Sequence, residues 1–261
     1  ECNRNIKFGD LWKRAQELGA SYLSSGHYAR VIRNAETGEH ELFMAVDETK
    51  DQSYFLYTLQ PEILKSVLFP LGGMKKTQVY EIAKKLGLPR VIEKPESQGL
   101  CFFAEGNPKN FLQRYLPSNF FNEGPIVTKD GRVVGKHRGL PLYTVGQRQG
   151  LGIGGISGEQ EGEGWYIVSI DRERNQLVVG RKKDISAFRI MCSRVNFISD
   201  LSSGSEDVTV RIRHRGALVP AVLNKDGDRV FVQASEPLSA PCAGQSAVFY
   251  QGEKVLGGGV I

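Results

Sequence analysis

The sequence lacks long apolar runs and a leader-like start. No segment approaches the roughly 18 consecutive apolar residues that a membrane-spanning helix needs. The first five residues, ECNRN, show neither the basic region nor the apolar region of a secretory signal peptide. These absences argue against an integral membrane or secreted protein and predict a soluble protein of the cytoplasm that contacts no membrane.

Cysteine is also scarce. The four cysteines are Cys2, Cys101, Cys192 and Cys242. Because no two of them have C-x-x-C spacing, a zinc ribbon or a thioredoxin-type redox motif is excluded, and no tightly bound metal is predicted. A structural disulfide framework is not expected in a cytoplasmic chain with so few, widely separated cysteines.

The composition is that of a folded protein with a modest excess of positive charge. The 261 residues are 40% apolar and 24% charged, enough for two or three domains. The net charge of +5 and the pI near 9.0 permit a polyanionic partner, because Lys and Arg release counterions from phosphates. A solvated basic surface explains the same charge.

Residues 1–105 show a mixed helix and strand pattern. Residues 10–19 are typical of a helix capped by Asp10, and residues 77–86 of a second, amphipathic helix. Between them a strand at 21–24 leads into Gly26. A glycine at the carboxyl end of a strand is typical of α/β nucleotide sites, so this part is predicted to be the C-terminal portion of a nucleotide-binding domain.

After residue 106 the pattern becomes mostly β. Asp-Gly pairs at residues 130–131 and 226–227 lie between apolar runs, as tight hairpins require. We predict a small central β-rich domain at 106–183 and a C-terminal β-barrel at 184–261. The predicted strands span residues 165–170, 176–179, 208–212, 221–223, 230–232 and 247–250.

Two cysteines lie in surroundings compatible with reactivity. Cys101 stands among polar and glycine residues beyond the second helix, where a thiolate can form, although a buried structural cysteine beside Phe102 is the more ordinary interpretation. Cys2 has two cationic neighbours, Arg4 and Lys7, that would lower the pKa of its thiol. Disorder of the chain end is equally compatible with its position.

Several polar residues are candidates for nucleic-acid contact. Lys50 could lie near a phosphate and Gln52 near a polar substrate edge, or both could belong to a solvated helix cap. His27 could touch a ligand, although an isolated histidine more often has a structural role. Residues 211–215 alternate cations, so a strand there would present Arg211, Arg213 and Arg215 on one face, as a phosphate-binding stripe or as an ordinary exposed barrel face.

Taken together, the motifs resemble those of the tRNA-specific 2-thiouridylases (tRNA-uridine 2-sulfurtransferases). The resemblance spans nearly the whole chain and preserves the order of the motifs. The matching blocks are ECNRNIKF (1–8), SGHYAR (25–30), KDQSYFL (50–56), FPLG (69–72), SQGLCF (97–102), YTVGQR (143–148) and LGGGVI (256–261).

The resemblance implies an adenine-nucleotide α-hydrolase-like (Rossmann-like) domain, a central β-rich domain and a C-terminal β-barrel. It implies ATP, with Mg²⁺, as the activator of the C2 carbonyl of the wobble uridine of tRNA (U34). It also implies that Cys101 carries the incoming sulfur as a persulfide, that Cys2 is its partner through a transient disulfide, and that a sulfur-carrier protein supplies the sulfur. The implied enzyme is a cytoplasmic monomer, and a bacterial origin is favoured.

Other site residues come from the resemblance one by one. Gly26 matches a backbone position that contacts ATP. His214 stands where the family commonly has tyrosine, which weakens its assignment. The positions matching tRNA contacts are His27, Lys50, Asp51, Gln52, Arg213, His214 and Gln245.

One family motif does not occur in this sequence. The Ser-Gly-Gly-Val-Asp-Ser pyrophosphate loop should precede Glu1, so the chain is expected to be an N-terminally truncated fragment that cannot activate uridine alone. A non-catalytic tRNA-binding fragment lacking the ATP loop is therefore the alternative interpretation. A stand-alone cysteine oxidoreductase or hydrolase ranks last, because no Cys-His-Asn arrangement is evident.

Overall fold

The computed structural model describes residues 2–88, 108–153, 164–199 and 206–261. The chain divides into two compact units. The first unit contains Glu1–Lys94, Phe188–Leu238 and Ala243–Ile261, and the second contains Pro95–Ala187 and Ser239–Cys242. The N-terminal segment and most of the C-terminal strands therefore belong to one unit. No helix within the described ranges is both long and apolar enough to cross a membrane.

The helices are short. The α-helices are α1 (Leu11–Glu17), α2 (Pro61–Leu64), α3 (Lys76–Lys85) and α4 (Pro108–Tyr115). A π-helix spans Cys2–Asp10, and 3₁₀ turns span Ser53–Phe55, Ser118–Phe121, Leu140–Leu142 and Lys182–Ile185.

The strands in the described ranges form three sheets. They are β1 (Leu23–Ser24), β2 (Arg30–Arg33), β3 (His40–Phe43), β4 (Val67–Leu68), β5 (Gly124–Thr128), β6 (Val133–His137), β7 (Tyr166–Asp171), β8 (Gln176–Gly180), β9 (Ser186–Phe197), β10 (Glu206–Arg211), β11 (Val219–Asp226), β12 (Arg229–Ser239), β13 (Ser246–Gln251) and β14 (Lys254–Val260).

The N-terminal segment has the predicted α/β character. Strands β1 and β4 pair in parallel, and helix α3 forms where residues 77–86 predicted it. The predicted capping by Asp10 is wrong. Asp10 has helical φ and ψ of −59° and −44° and makes no side-chain cap bond, because the π-helix Cys2–Asp10 runs directly into α1. A capping side chain requires a residue that has not yet entered the helix.

Six C-terminal strands close into the predicted β-barrel. Their order is β13-β10-β11-β12-β9-β14, and β14 pairs again with β13. Such closure leaves no free sheet edge within this ring. The hairpin β2–β3 extends the sheet from the start of β14, where Lys254 pairs with Phe43. The Asp-Gly hairpin predicted at 226–227 is confirmed between β11 and β12, since Asp226 pairs with Arg229.

Strand β13 joins two hydrophobic cores within the first unit. Ala247 and Phe249 pack in the barrel core, whereas Val248 and Tyr250 pack in a second core with residues of the N-terminal segment. All four are fully buried, because successive side chains of a strand point to opposite faces. Gly258 of β14 permits this packing, since a Cβ there would come 2.6 Å from the carbonyl oxygen of Ala247.

The second unit contains a four-stranded sheet in the order β6-β5-β8-β7. The Asp-Gly hairpin predicted at 130–131 is confirmed, because β5 and β6 are antiparallel neighbours and Thr128 N–H donates to the carbonyl oxygen of Arg132 at 2.9 Å. The core of this sheet consists of Ile126, Leu151, Ile167, Leu177 and Val179.

Candidate functional site

Cys2 lies at the start of the π-helix as a half-buried free thiol. The next residue fixes its neighbourhood, because Asn3 Nδ2 donates to the backbone oxygen of Phe55 at 3.1 Å. Cys2 therefore lies close to the 3₁₀ turn Ser53–Phe55. Its predicted partner, Cys101, lies outside the described residues, so the pairing of these two cysteines stays a prediction.

The remaining cysteines differ in reactivity. Cys192 is fully buried in the barrel core, and this burial raises the pKa of its thiol to about 12. A thiol of that pKa stays protonated at neutral pH and is a poor nucleophile. Cys242 is a half-buried free thiol in the second unit. Within the described part of the chain Cys2, Cys192 and Cys242 are all free, so no disulfide is formed there.

Gly26 follows β1 and is exposed. Packing against the described residues does not require a glycine here, because among them an added Cβ would meet only Leu71 Cδ1, at an ordinary 3.7 Å. Nor does its backbone have positive φ. The missing side chain therefore leaves open space above the backbone at the carboxyl end of a parallel strand, which fits the close approach of a nucleotide.

The His27 ring is only 9% exposed. It packs against Phe8 and Phe69, with ring centroids 5.8 and 5.9 Å away, and Ser25 Oγ lies 2.7 Å from its Nδ1. Burial, followed by the charge of Lys7, lowers the pKa of His27 from 6.5 to about 4. This geometry favours a structural role for the ring, and its predicted tRNA contact stays a prediction.

The pKa of His27 predicts a specific acid sensitivity. In the unfolded chain His27 takes up a proton as pH falls below 6.5, whereas in the folded protein it resists protonation until about pH 4. Because the unfolded state binds more protons in this window, the free energy of unfolding decreases as pH falls, by about 3 kcal/mol from this residue.

This loss can be isolated by comparing His27→Gln with the unmodified protein. Denaturant titrations between pH 7.5 and pH 4 should show a shallower decline in the free energy of unfolding for the variant, by about 3 kcal/mol over the window. The other titrating groups are the same in both proteins, so their contributions cancel in the difference between the two pH profiles. Parallel pH profiles would show that His27 does not resist protonation.

Asp51 is buried and its carboxylate accepts several hydrogen bonds, while its predicted tRNA contact stays a prediction. Its carboxylate accepts from Ala45 N–H at 3.0 Å, from Ser53 N–H at 3.2 Å and from Ser53 Oγ at 2.9 Å. Arg211 Nη1 also donates to this carboxylate, at 3.0 Å. In this ion pair the side chain of Asp51 is 1% exposed and that of Arg211 is 11% exposed. Asp51 therefore acts by positioning the segment around it.

The residues on either side of Asp51 are half-buried. Gln52 Oε1 accepts from Tyr28 N–H at 2.9 Å, and Gln52 N–H donates to the Tyr28 carbonyl at 2.8 Å. These two bonds hold the 50–52 segment beside the loop that contains Gly26 and His27. Lys50 lines a cavity of about 470 Å³.

The prediction of an arginine stripe along one strand is wrong. Strand β10 ends at Arg211, and residues 213–215 form a turn in which Arg215 has a φ of 62°. Arg211 forms a buried ion pair with Asp51. Arg215 is exposed, while Arg213 and His214 are half-buried. Arg213 and Arg215 therefore lie on a turn that follows the strand, and not on one face of the strand.

The barrel turn and the 50–55 segment meet directly. Tyr54 Oη lies 3.2 Å from the carbonyl oxygen of Ile212 and 2.8 Å from that of Ser246. Ser246 follows Gln245, a half-buried residue whose buried Oε1 has no hydrogen-bond partner among the described residues. The ring of His214 packs against that of Phe55 in a tilted contact, with ring centroids 4.6 Å apart. Burial, then the charge of Arg215, lowers the pKa of His214.

The structure thus brings Lys50, Asp51 and Gln52 together with Arg213, His214 and Gln245, although the two groups are far apart in sequence. The cavity beside them is lined by Glu48, Thr49, Lys50, Asp51, Arg211, Arg215 and Gly216. Sequence reasoning missed the contributions of Tyr54 and Phe55, for which the available signal was their place in the matching block at residues 50–56. In the ranges that are described, no three His, Cys, Asp or Glu side chains group as metal ligands.

Comparison with known proteins gives the family. Residues 1–105 match the tRNA methyl transferase HUP domain, 109–181 the tRNA methyl transferase PRC-barrel domain, and 188–261 the aminomethyltransferase beta-barrel domain.

Curated relatives align with the whole of this chain. The tRNA-specific 2-thiouridylase MnmA of Synechococcus sp. is 43% identical over 265 residues, covering 100% of this chain and 71% of the relative. The proteins of the same name from Heliobacterium modesticaldum and Enterococcus faecalis are 39% and 41% identical over 100% of this chain, and 66% and 69% of their own lengths are covered. The chain belongs to the tRNA-specific 2-thiouridylase family.

Proposed function

We propose that this protein is a tRNA-uridine 2-sulfurtransferase that converts the wobble uridine (U34) of tRNA to 2-thiouridine. The observation that carries the proposal is the identity of 39–43% to 2-thiouridylases over 100% of the chain. The placement of residues 50–52 beside the turn at 213–215 supports it, because it forms a basic surface next to Cys2. We place the reaction in the cytoplasm, with the enzyme acting as a monomer.

The reaction needs an activated carbonyl. The C2 carbonyl of uridine is amide-like and a poor electrophile, and ATP, bound with Mg²⁺, supplies the adenylyl group that turns its oxygen into a leaving group. Gly26 fits a backbone position against the nucleotide, since it is exposed and has no neighbour closer than 3.7 Å to an added Cβ. The protein's own contribution here is close backbone approach at the end of β1.

Sulfur transfer then requires two cysteines. A sulfur-carrier protein loads Cys101 as a persulfide, whose terminal sulfur attacks C2 while the C2–O bond breaks and AMP leaves. The Cys2 thiolate attacks Cys101 Sγ, the bond from Cys101 Sγ to the transferred sulfur breaks, and that sulfur stays on C2 as the thiocarbonyl. A Cys2–Cys101 disulfide remains, and an external thiol reduces it before the next turnover. Cys2 is positioned for this role by the bond from Asn3 to Phe55.

The tRNA-binding residues divide into direct and indirect ones. Lys50, Gln52, Arg213, His214 and Gln245 are half-buried, which leaves part of each side chain accessible to RNA. Asp51 acts indirectly, because its carboxylate is 1% exposed and saturated by Ala45, Ser53 and Arg211. His27 would act in the same indirect way through the Phe8–Phe69 cluster.

The proposal is tested in a bacterial strain that lacks its own 2-thiouridylase. Expressing the full-length gene that encodes this protein should restore 2-thiouridine in digests of bulk tRNA, as measured by mass spectrometry, and an empty vector is the control. Unmodified uridine despite a folded, abundant protein would overturn the proposal. Tight tRNA binding in the same preparation would then support the alternative, a tRNA-binding protein without thiolation activity.

A further inference from the structure

We propose that the ring of Phe55, packed against the tilted ring of His214, is a platform on which an unpaired nucleobase of the tRNA anticodon loop stacks. This inference rests on the proposed function and adds a recognition element to it. The platform consists of Phe55 and His214, and it lies in the first unit next to the segment that contains Cys2.

The Phe55 ring is both accessible and held in place. It is 43% exposed at the end of a 3₁₀ turn whose other members, Ser53 and Tyr54, are buried. His214 lies 4.6 Å away with the ring planes 39° apart, and Tyr54 meets Phe55 edge-on at 5.4 Å. Such contacts fix an aromatic ring in one orientation.

Backbone and side-chain bonds anchor the platform on both sides. Asn3 donates to the backbone oxygen of Phe55 at 3.1 Å, and Tyr54 Oη is within hydrogen-bond distance of two barrel carbonyls, those of Ile212 and Ser246. A platform built this way requires little ordering on binding, which lowers the entropic cost of capturing a flexible loop. The bond to Asn3 also places the platform beside Cys2.

The charges around the platform favour nucleic acid over an apolar partner. The adjacent cavity of about 470 Å³ is lined by Lys50, Arg211 and Arg215, opposed by Glu48 and Asp51. Asp51 and Arg211 form an ion pair with each other, and the other charged residues that line the cavity are two cations, Lys50 and Arg215, and one carboxylate, Glu48. An aromatic face combined with a basic groove is the arrangement that binds single-stranded nucleic acid.

A comparison within the same unit separates Phe55 from an ordinary exposed aromatic residue. Phe231 on β12 is 42% exposed, but it has no ring contact with another described residue. Single exposed apolar side chains of that kind are common on protein surfaces. Phe55 differs because other rings orient it and cations lie beside it, so Phe231 serves as a matched control.

The test measures binding of an anticodon stem-loop RNA to the full chain. Phe55→Leu keeps the apolar volume but removes the aromatic face, and it should weaken binding by about tenfold. Phe55→Tyr keeps the face and should bind within about threefold of the unmodified protein. Phe231→Leu should bind as the unmodified protein does.

A second measurement detects stacking itself. With 2-aminopurine placed at successive positions of the loop, binding should quench the fluorescence at one position next to the target uridine, and Phe55→Leu should abolish that quenching. Equal affinity of Phe55→Leu and the unmodified protein, or equal loss in the Leu and Tyr variants, would overturn the platform while leaving the proposed function intact. Failure of the unmodified protein both to bind the RNA and to restore 2-thiouridine would overturn the proposed function itself.

Discussion

Replacing Cys2 or Cys101 by serine is expected to abolish 2-thiouridine formation, with a loss of roughly a thousandfold or more. A serine hydroxyl at residue 101 cannot carry a persulfide sulfur. A serine at residue 2 cannot attack the sulfur of its partner, because an oxygen nucleophile is almost fully protonated at neutral pH and forms no disulfide. Mass spectrometry of tRNA nucleosides from complemented cells measures the result.

Two controls separate chemistry from folding and binding. Cys242→Ser changes a half-buried free cysteine in the second unit and should leave thiolation unchanged. The Cys2→Ser variant should still bind tRNA, because the surface formed by residues 50–52 and 213–215 does not depend on the thiol. Retained 2-thiouridine in both Cys2→Ser and Cys101→Ser would refute the two-cysteine mechanism, whatever their tRNA affinity.

The parts of the fold that could be predicted from sequence are governed by local rules. The hairpins at 130–131 and 226–227 follow from Asp-Gly turns between apolar runs, and helix α3 follows from its apolar stripe. The blocks flanking Cys2 and Cys101 predicted the family. None of these inferences requires knowledge of which distant segments meet.

The errors and omissions arise where distant contacts determine the structure. The alternation of Arg211, Arg213 and Arg215 indicates a strand face only if the strand continues, but it ends at Arg211. The matching of Asp51 to a tRNA-contacting position stays a prediction, but the sequence did not show that its carboxylate binds Arg211 and a neighbouring backbone N–H group. A buried partner 160 positions away in sequence leaves no periodic signal, so sequence reasoning treats such a residue as an exposed polar group.

The buried position of Asp51 predicts a large loss of stability when its charge is removed. Asp51→Ala leaves the guanidinium of Arg211, 11% exposed, without a counter-charge, and it leaves the N–H groups of Ala45 and Ser53 without an acceptor. Removing one partner of a buried ion pair costs about 3–5 kcal/mol. Denaturant titration should show a decrease of that size, together with weaker tRNA binding as the 50–52 segment loses its anchor.

An exposed ion pair in the same unit provides the matched control. Glu253→Ala removes the partner of Arg30, but the Glu253 side chain is 66% exposed, so the loss should stay below about 1 kcal/mol. Comparing Asp51→Ala with Glu253→Ala tests whether burial, and not the mere presence of an ion pair, determines the loss of stability.

A double-mutant cycle decides whether Asp51 and Arg211 stabilise the fold as a pair. Asp51→Asn keeps an oxygen for Ala45 and Ser53 while removing the charge, and Arg211→Met removes the opposite charge with similar bulk. Each single change should destabilise the protein strongly, and the double variant should recover about 1–3 kcal/mol relative to the sum of the two. Additive losses within about 0.5 kcal/mol would mean that the two charges are not coupled. The barrel turn and the 50–52 segment would then be joined mainly by the bonds of Tyr54 to Ile212 and Ser246.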